Sequence, residues 1–358
     1  MIGRGVNVYL KMAVCILAAP ALTAGNVASA GDGSDQTPES LLSMGRQLAD
    51  AGEQTPPKVD SVAVASGKSD TPAPPAGDGP PLPLHTIEGV GGALAVPMAY
   101  LVNPGPKGTI IGKPAVSATF LSLGDKNLTS LAITETLFGR IELGYAINRF
   151  GLGNLGKAIK KETGGALRIR RHEVYLHNFN IRGLVVEENS CGLPLPAVVV
   201  GAQFKVNGGI EGMDESTNGA LSSIGYEKRN GVDFVITMSK MFPKLLFGRP
   251  LILTLGVRNS KASNIGYTGF GNKCQTTIET DVATLLTDRL AVGYEFRQKN
   301  NPYDVSPGIL NDEDDWHAIR AAYIVNDSFT VAAAWGYLGP VGNHFANCAW
   351  GIQLKYEF

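Results

Sequence analysis

The stretch 346–358 constrains the fold more than any other part of the sequence. On an extended strand, Trp350, Ile352, Leu354, Tyr356 and Phe358 share one face, while Gly351, Gln353, Lys355 and Glu357 share the other. A soluble sheet would turn the apolar face inward. An outer-membrane barrel turns it toward lipid and flanks it with aromatic residues. The aromatic ending at Phe358 favours the barrel.

Eleven upstream segments extend this pattern and, with 347–358, predict twelve strands. They are 115–123, 128–138, 140–149, 168–180, 196–206, 232–241, 251–259, 275–285, 289–297, 316–325 and 328–337. Short links at 138–140, 286–288 and 326–327 largely alternate with long ones, as periplasmic turns alternate with outer loops. No apolar run is long enough for a membrane helix, which leaves a closed barrel as the way to span a bilayer. We predict an all-β, antiparallel transmembrane β-barrel of twelve strands, with ten or fourteen left open.

Charged residues at the non-lipid positions of these strands are predicted to line the lumen. They are Arg140, Glu142, Lys205, Asp233, Arg258, Glu279, Asp281, Glu295, Arg297, Arg320, Lys355 and Glu357. The predicted aromatic membrane girdle comprises Tyr294, Phe296, Trp350, Tyr356 and Phe358. A soluble sandwich with its charges on a wet face is the competing interpretation.

The N-terminal 1–30 has the features of a secretory signal peptide. Arg4 and Lys11 precede an apolar stretch at 12–24, and Ala28-Ser29-Ala30 is a small-residue cleavage site. Residues 31–85 are rich in proline and carry eight acidic residues against three basic ones. This composition predicts a disordered periplasmic linker. The export signal and the barrel pattern together predict the outer membrane of a Gram-negative bacterium.

Residues 86–108 fit neither the linker nor the strand pattern. Pro97 interrupts an apolar run at 94–102, and a proline there disfavours a central strand. We therefore expect this segment to enter the lumen or its periplasmic mouth, ahead of a barrel at 109–358.

Several stretches together carry a family resemblance. They include Ile87-Glu88-Gly89, Gly139-Arg140-Ile141-Glu142-Leu143, Gly231-Val232-Asp233-Phe234, Thr287-Asp288-Arg289-Leu290 and Asp314-Asp315-Trp316. With these stretches the chain resembles a family of uncharacterised Gram-negative proteins, DUF3034. The resemblance covers 86–358 in order. It implies an outer-membrane barrel and no known activity.

Three other motifs carry weaker signals. Residues 151–156 spell G-x-G-x-x-G, but the preceding strand alternates and Gly164 ends the following helix early, so we expect a glycine-rich loop and no nucleotide. His172 and His177 would face opposite sides of a strand and cannot share a metal. The acidic run 312–315 predicts a solvated outer loop, with a divalent-cation site as the alternative. We expect no metal or cofactor.

Three cysteines, Cys191, Cys274 and Cys348, follow the signal segment, where a disulfide is allowed. The strand order places Cys274 and Cys348 at the outer side and Cys191 at the periplasmic side. Any disulfide is therefore predicted to join Cys274 to Cys348.

The function favoured by the sequence is a narrow pore rather than an enzyme. A closed structural or binding barrel is the alternative, and a membrane-embedded hydrolase is a weaker one. The expected partners are outer-membrane lipid and, through the strand ending in Phe358, the barrel-assembly machinery. No basic stripe is present, so no nucleic-acid partner is expected.

Overall fold

A computed structural model describes residues 83–169, 171–304 and 310–358. It shows an all-β chain whose twelve long antiparallel strands close into a barrel. They are β1 Ala115–Leu123, β2 Lys126–Leu137, β3 Ile141–Gly151, β4 Glu173–Val186, β5 Ala197–Gly208, β6 Asn230–Leu246, β7 Arg249–Ala262, β8 Phe270–Leu285, β9 Leu290–Arg297, β10 Trp316–Ile324, β11 Phe329–Tyr337 and β12 Ala349–Glu357. The predicted fold and strand number are confirmed.

Each strand pairs with its neighbours in the chain, and β12 returns to pair with β1. This last ladder runs from Trp350 opposite Ser122 to Glu357 opposite Ala115. Because both edges are thereby paired, each of the twelve barrel strands has two hydrogen-bonded neighbours. The largest boundary error is in β4. This strand was predicted at 168–180 but runs from Glu173 to Val186, so it starts five residues later and ends six residues later.

The barrel has inverted polarity, with its apolar side chains outside. Tyr294, Leu354 and Phe358 are 41%, 46% and 58% exposed, whereas Gln353 and Lys355 on the alternate face of β12 are buried. A soluble sandwich would bury the first three. The soluble interpretation is therefore wrong, and the outer surface suits lipid.

One end of the barrel, here called the turn end, carries the links 138–140, 187–196, 247–248, 286–289 and 325–328. Two of these links are tight because their central residues adopt positive φ, as type I′ hairpins require. Phe138 and Gly139 have φ of 54° and 64°, and Phe247 and Gly248 have φ of 50° and 77°. The link 187–196 is longer and contains the 3₁₀ turn Ser190–Gly192.

The opposite end, the loop end, carries the longer connections and most of the short elements. These are α1 Leu155–Glu162, α2 Ile210–Ser216, α3 Ala220–Ser223, the 3₁₀ turn Asn264–Gly266, the short strand Tyr226–Lys228 and the paired strands Pro340–Val341 and His344–Phe345. Within the described part of the chain, no helix has the length and apolar character needed to cross a membrane.

The predicted signal peptide and nearly all of the predicted linker lie outside the described residues. Leu84 and His85, which the sequence assigned to the linker, are buried, and Leu84–His85 pairs with Gly91–Gly92 in a small two-stranded sheet.

Candidate functional site in the barrel lumen

The lumen wall is a network of paired charges. Eleven of the twelve residues predicted to line it are buried: Glu142, Lys205, Asp233, Arg258, Glu279, Asp281, Glu295, Arg297, Arg320, Lys355 and Glu357. They face inward because strands alternate their side chains. Neighbouring strands supply partners of opposite sign. Arg258 Nε on β7, for example, lies 2.5 Å from Glu279 Oε1 on β8.

Arg140 does not belong to this network. It lies in the turn between β2 and β3, its side chain is 55% exposed, and it pairs with the equally exposed Glu187. The alternation that predicted an inward position ends where the chain turns.

Residues 84–102, here called the lumenal segment, lie inside the barrel. At its start, the Pro83 carbonyl accepts a hydrogen bond from Lys355 Nζ. At its end, the Val102 carbonyl accepts one from Thr136 Oγ1 at 2.6 Å. Lys355 and Thr136 both lie near the turn end of their strands, so the segment enters and leaves by that end. Between these points every residue is buried except Ala95 and Tyr100, which are half-buried.

Glu88 is the charge that the lumenal segment brings to the wall. Its buried carboxylate pairs with Lys205, with Arg297 Nη1 at 2.6 Å and with Arg258 Nη2 at 3.3 Å. Burial alone would raise the pKa of Glu88, but the charges of Arg258, Arg297 and Lys205 outweigh it and hold the pKa well below its ordinary value. Glu88 is therefore an ionised carboxylate that joins the segment to three strands.

Two wall carboxylates hold the backbone of the segment. Glu142 accepts the N–H of Gly91 at 2.9 Å and the N–H of Val102 at 2.8 Å. Glu295 accepts the N–H groups of residues 94–96 at 2.7–3.1 Å. Hydrogen bonds to ionised acceptors are stronger than neutral ones. The wall thus holds the segment chiefly through its main chain.

His85 is the other polar anchor of the segment. Its Nδ1 lies 2.9 Å from Ser117 Oγ and its Nε2 lies 2.8 Å from Thr134 Oγ1. The Gln353 amide closes a pair with the His85 backbone, accepting its N–H at 3.2 Å and donating to its carbonyl at 2.7 Å. The contact between Ser117 and His85 lies inside the lumen. The second imidazole nitrogen of His85 faces the hydroxyl of Thr134, where a catalytic triad would have a carboxylate. This contact does not provide the nucleophile at the lipid boundary that a membrane hydrolase needs.

At the loop end, an apolar cluster closes over the lumen. It joins the ends of strands to the loop helices and consists of Ile87, Leu123, Leu128, Phe150, Leu152, Leu155, Ile159, Val174, Leu176, Ile210, Met213, Tyr226, Ile265, Tyr267, Tyr303, Leu310, Trp316, Val341, Ala346 and Ala349. Ile87 brings the lumenal segment into this cluster, here called the apolar cap.

Comparison with known families identifies the chain. The family described as "Protein of unknown function (DUF3034)" matches residues 83–354, which is most of the sequence and contains the lumenal segment as well as the barrel. The chain belongs to DUF3034. The resemblance noted from the sequence is confirmed. No curated protein matches this DUF3034 sequence.

Solved structures similar to this DUF3034 chain are distant. The KdgM porin has a TM-score of 0.42 and 10% identity, covering 68% of this chain and 99% of its own. Omp33, an outer membrane protein of Acinetobacter baumannii, has a TM-score of 0.34 and 9% identity, covering 70% and 99%. Outer membrane phospholipase A from Escherichia coli has a TM-score of 0.31 and 8% identity, covering 68% and 91%. At these values nothing about ligand or activity follows.

Sequence reasoning missed three residues of the DUF3034 lumen. Glu88 and His85 sit in an irregular segment with no strand period, so nothing in the pattern showed where they point. Arg182 lies beyond the predicted end of β4 and pairs with Glu142 at 2.7 Å. The alternation Asn178, Asn180, Arg182 would have found it had the strand been extended.

The aromatic girdle residues lie on the outer surface. Tyr294, Trp350, Tyr356 and Phe358 are exposed and Phe296 is half-buried. Tyr294 also meets a neighbour across the strands, with its hydroxyl 2.7 Å from His317 Nδ1.

The remaining motifs do not build a second site. The glycines of 151–156 lead into α1 and then into an antiparallel strand, without the parallel crossover of a dinucleotide fold. In the acidic run, Glu313 pairs with Lys299 at 2.9 Å while Asp314 accepts the Tyr337 hydroxyl at 2.5 Å. These two contacts point in different directions, and no three acidic, histidine or cysteine side chains in the described part of the chain are grouped closely enough to hold a metal ion.

The three described cysteines are exposed and unbridged. Cys274 Sγ lies 2.9 Å from Asn259 Oδ1, and Cys348 Sγ accepts the Trp335 indole N–H at 3.1 Å. Because none of the three is bridged in this structure, the pairing of Cys274 with Cys348 stays a prediction.

Acid is expected to loosen the lumenal segment through His85. Burial, with the positive charges of Lys355 and Arg182, holds the pKa of His85 well below its ordinary value. In a displaced segment His85 titrates near its ordinary pKa of about 6.5. Docking is then at full strength above that pH and weakens as the pH falls toward the lowered pKa, by up to about tenfold per pH unit.

The measurement is thiol labelling of Val102→Cys, normalised to the exposed native Cys191 at each pH. Relative labelling should rise below about pH 6.5. The matched variant His85→Asn cannot titrate and should lose this rise. An identical pH profile in His85→Asn would show that another group is responsible.

Proposed function

We propose that the protein is an outer-membrane channel closed at rest by its own lumenal segment. The proposal rests on the polar contacts that hold the lumenal segment against the barrel wall. The segment is held by an ion-paired carboxylate, Glu88, and by wall carboxylates that accept its backbone N–H groups. Water can replace such partners when the segment leaves, whereas it cannot replace an apolar core.

The width of the barrel supports the proposal. Eight strands give an interior that side chains just fill, and a larger number leaves space. In this barrel of twelve strands the lumenal segment occupies that space. Its withdrawal would take Ile87 out of the apolar cap and expose the polar inner faces of the strands, so a complete passage also requires the rest of the cap to part.

The wall beside the segment also has polar groups suited to water. Asn178 is fully buried, and neither atom of its amide has a hydrogen-bond partner among the described residues. Asn178 lies on β4. The side-chain oxygens of Asn180 on the same strand and of Asn148 on β3 likewise have no hydrogen-bond partner among the described residues. Buried amides are normally satisfied. This strip of β3 and β4 therefore favours a hydrated lumen over a permanently dry one.

A reversible crosslink tests the channel. Ala99 N–H donates to Ser239 Oγ at 2.8 Å, so cysteines at these two small positions lie close together. In a chain whose native cysteines are replaced by serine, a short bis-methanethiosulfonate reagent would join Ala99→Cys to Ser239→Cys. Opening events in planar bilayers should disappear when the link forms and return on reduction with dithiothreitol.

The control is the single variant Ala99→Cys, treated with the same reagent, which should keep its opening events. Events that persist through the crosslink would show that the ion path does not depend on the segment.

A permanently closed barrel is the second candidate, and the apolar cap favours it. Its residues close the loop end with a packed cluster rather than with exchangeable polar contacts. If bilayers show no opening events in the linked, reduced and wild-type proteins alike, this second candidate is the better one. The barrel would then serve through its loops or its N-terminal extension.

Location and partners complete the proposal. The exposed apolar belt would contact outer-membrane lipid, and β12 with Phe358 would present the assembly signal to the barrel-assembly machinery. The absence of enzymatic activity stays a prediction.

A further inference from the structure

The wall around Glu88 has the composition of a carboxylate-binding site. Three cations, Lys205, Arg258 and Arg297, converge on one carboxylate that comes from outside the strands. Two wall anions, Asp233 and Glu279, also contact these cations. The wall cluster alone therefore carries one excess positive charge, which Glu88 neutralises.

Arg297 directs one nitrogen at the wall and two at the lumenal segment. Its Nε lies 3.1 Å from Glu279 on the wall. Its terminal nitrogens turn to the segment instead. Nη1 donates to Glu88 Oε2 at 2.6 Å and to the Ala95 carbonyl at 3.2 Å, and Nη2 donates to Glu88 Oε1 at 3.4 Å. The planar edge of a guanidinium matches a carboxylate in this two-point arrangement.

Lys205 and Arg258 differ from Arg297 in this respect. Lys205 Nζ keeps Asp233 at 2.6 Å, and Arg258 keeps Glu279 and also Gln203, which accepts from its Nη1 at 2.6 Å. These two side chains are therefore fixed by the wall with or without the segment. They hold positive charge in place beside Arg297. The two terminal nitrogens of Arg297 lose Glu88 and the Ala95 carbonyl when the segment leaves.

We propose that this cluster is a carboxylate subsite of the channel, which Glu88 occupies in the closed state and a carboxylate-bearing solute occupies when the segment withdraws. The proposal rests on the proposed function for its role in transport. The binding chemistry itself can be tested in the full-length protein without recording channel activity.

Chemical rescue is the test. Glu88→Ala removes the carboxylate and leaves a cavity beside the three cations, so the variant should unfold at a lower temperature than wild type. Formate and acetate should restore most of the lost thermal stability in a saturable way, measured by heat-modifiability in detergent. Chloride at equal ionic strength and the neutral isosteres formamide and acetamide should not.

Two matched variants make the result specific. Glu88→Gln fills the cavity with a neutral side chain and should show no rescue by formate. Glu88→Ala combined with Arg297→Gln keeps the cavity but loses the fork, and it should also show none. If Glu88→Ala does not fold in plain buffer, the folded yield on refolding with and without formate gives the same comparison.

The outcomes separate the two proposals. Rescue by formate and acetate that requires Arg297 supports the subsite, whatever the bilayer recordings show. Equal rescue by chloride, rescue that survives Arg297→Gln, or no rescue by any anion overturns it. If the rescue experiment overturns the subsite, the channel can still be tested by the crosslink. If the crosslink experiment overturns the channel, the rescue result for carboxylate binding still holds.

Discussion

Replacing Glu88 with lysine should release the lumenal segment and turn a closed barrel into a conducting one. The substitution places a fourth cation among Lys205, Arg258 and Arg297 at a position shielded from water. Breaking a buried ion pair by removing one partner costs about 3–5 kcal/mol. At about 1.4 kcal/mol per tenfold, the open population should rise by roughly 10²- to 4 × 10³-fold.

The open probability in planar bilayers measures this effect, and labelling of Val102→Cys reports the segment directly. Asp288→Lys is the matched control. It makes the same change of charge at the turn end, but the Asp288 side chain is 92% exposed and its ion pair is with the half-exposed Arg249. It should leave conductance unchanged. A Glu88→Lys protein with a silent bilayer trace, and with the Val102→Cys thiol still protected from labelling, would contradict the gating role of Glu88.

Ile352→Arg should destabilise the barrel in a bilayer by about 2–4 kcal/mol. Ile352 lies midway along β12, is 45% exposed and faces outward opposite Ala333 of β11 and Phe120 of β1. On a water-soluble protein an arginine at a half-exposed surface position would be nearly neutral. The large expected effect follows from acyl chains, which cannot solvate the guanidinium.

The measurement is the free energy of unfolding in vesicles by urea titration. Leu193→Arg is the matched control, because Leu193 is a similarly exposed apolar residue that lies in the 187–196 link beyond the strands. Its effect should be about 0–1 kcal/mol, as expected outside the membrane midplane. Equal effects of the two substitutions would show that the outer face of β12 does not contact lipid.

Sequence reasoning recovered the strands because a strand that separates lipid from a polar lumen has a period of two. That period is strong in β12, where every outward position is apolar and the inward positions after Ala349 are glycine or polar. It is weak in β4, where His177 and Glu173 interrupt the outer face, and the predicted strand ended before Arg182. The inward charges followed from the same period, except at Arg140, where a turn ends it.

The path of the lumenal segment could not follow from the sequence. Its contacts join backbone N–H groups to the side chains of distant strands, as from Gly91 to Glu142 or from residues 94–96 to Glu295. Such contacts leave no repeat within the segment. Composition indicated an irregular stretch before the barrel, but the role of Glu88 depends on three cations that lie more than a hundred residues away in the chain.

Both ends of the segment at 84–102 leave the barrel by one mouth, so extraction needs no free chain terminus to thread through the pore. Tension applied from the upstream side would load Leu84 and His85 first, then Glu88, and only afterwards the loops held by Glu142 and Glu295. The contacts would thus peel in sequence instead of shearing together. The force required would be set by one attachment at a time, far below what their combined strength suggests.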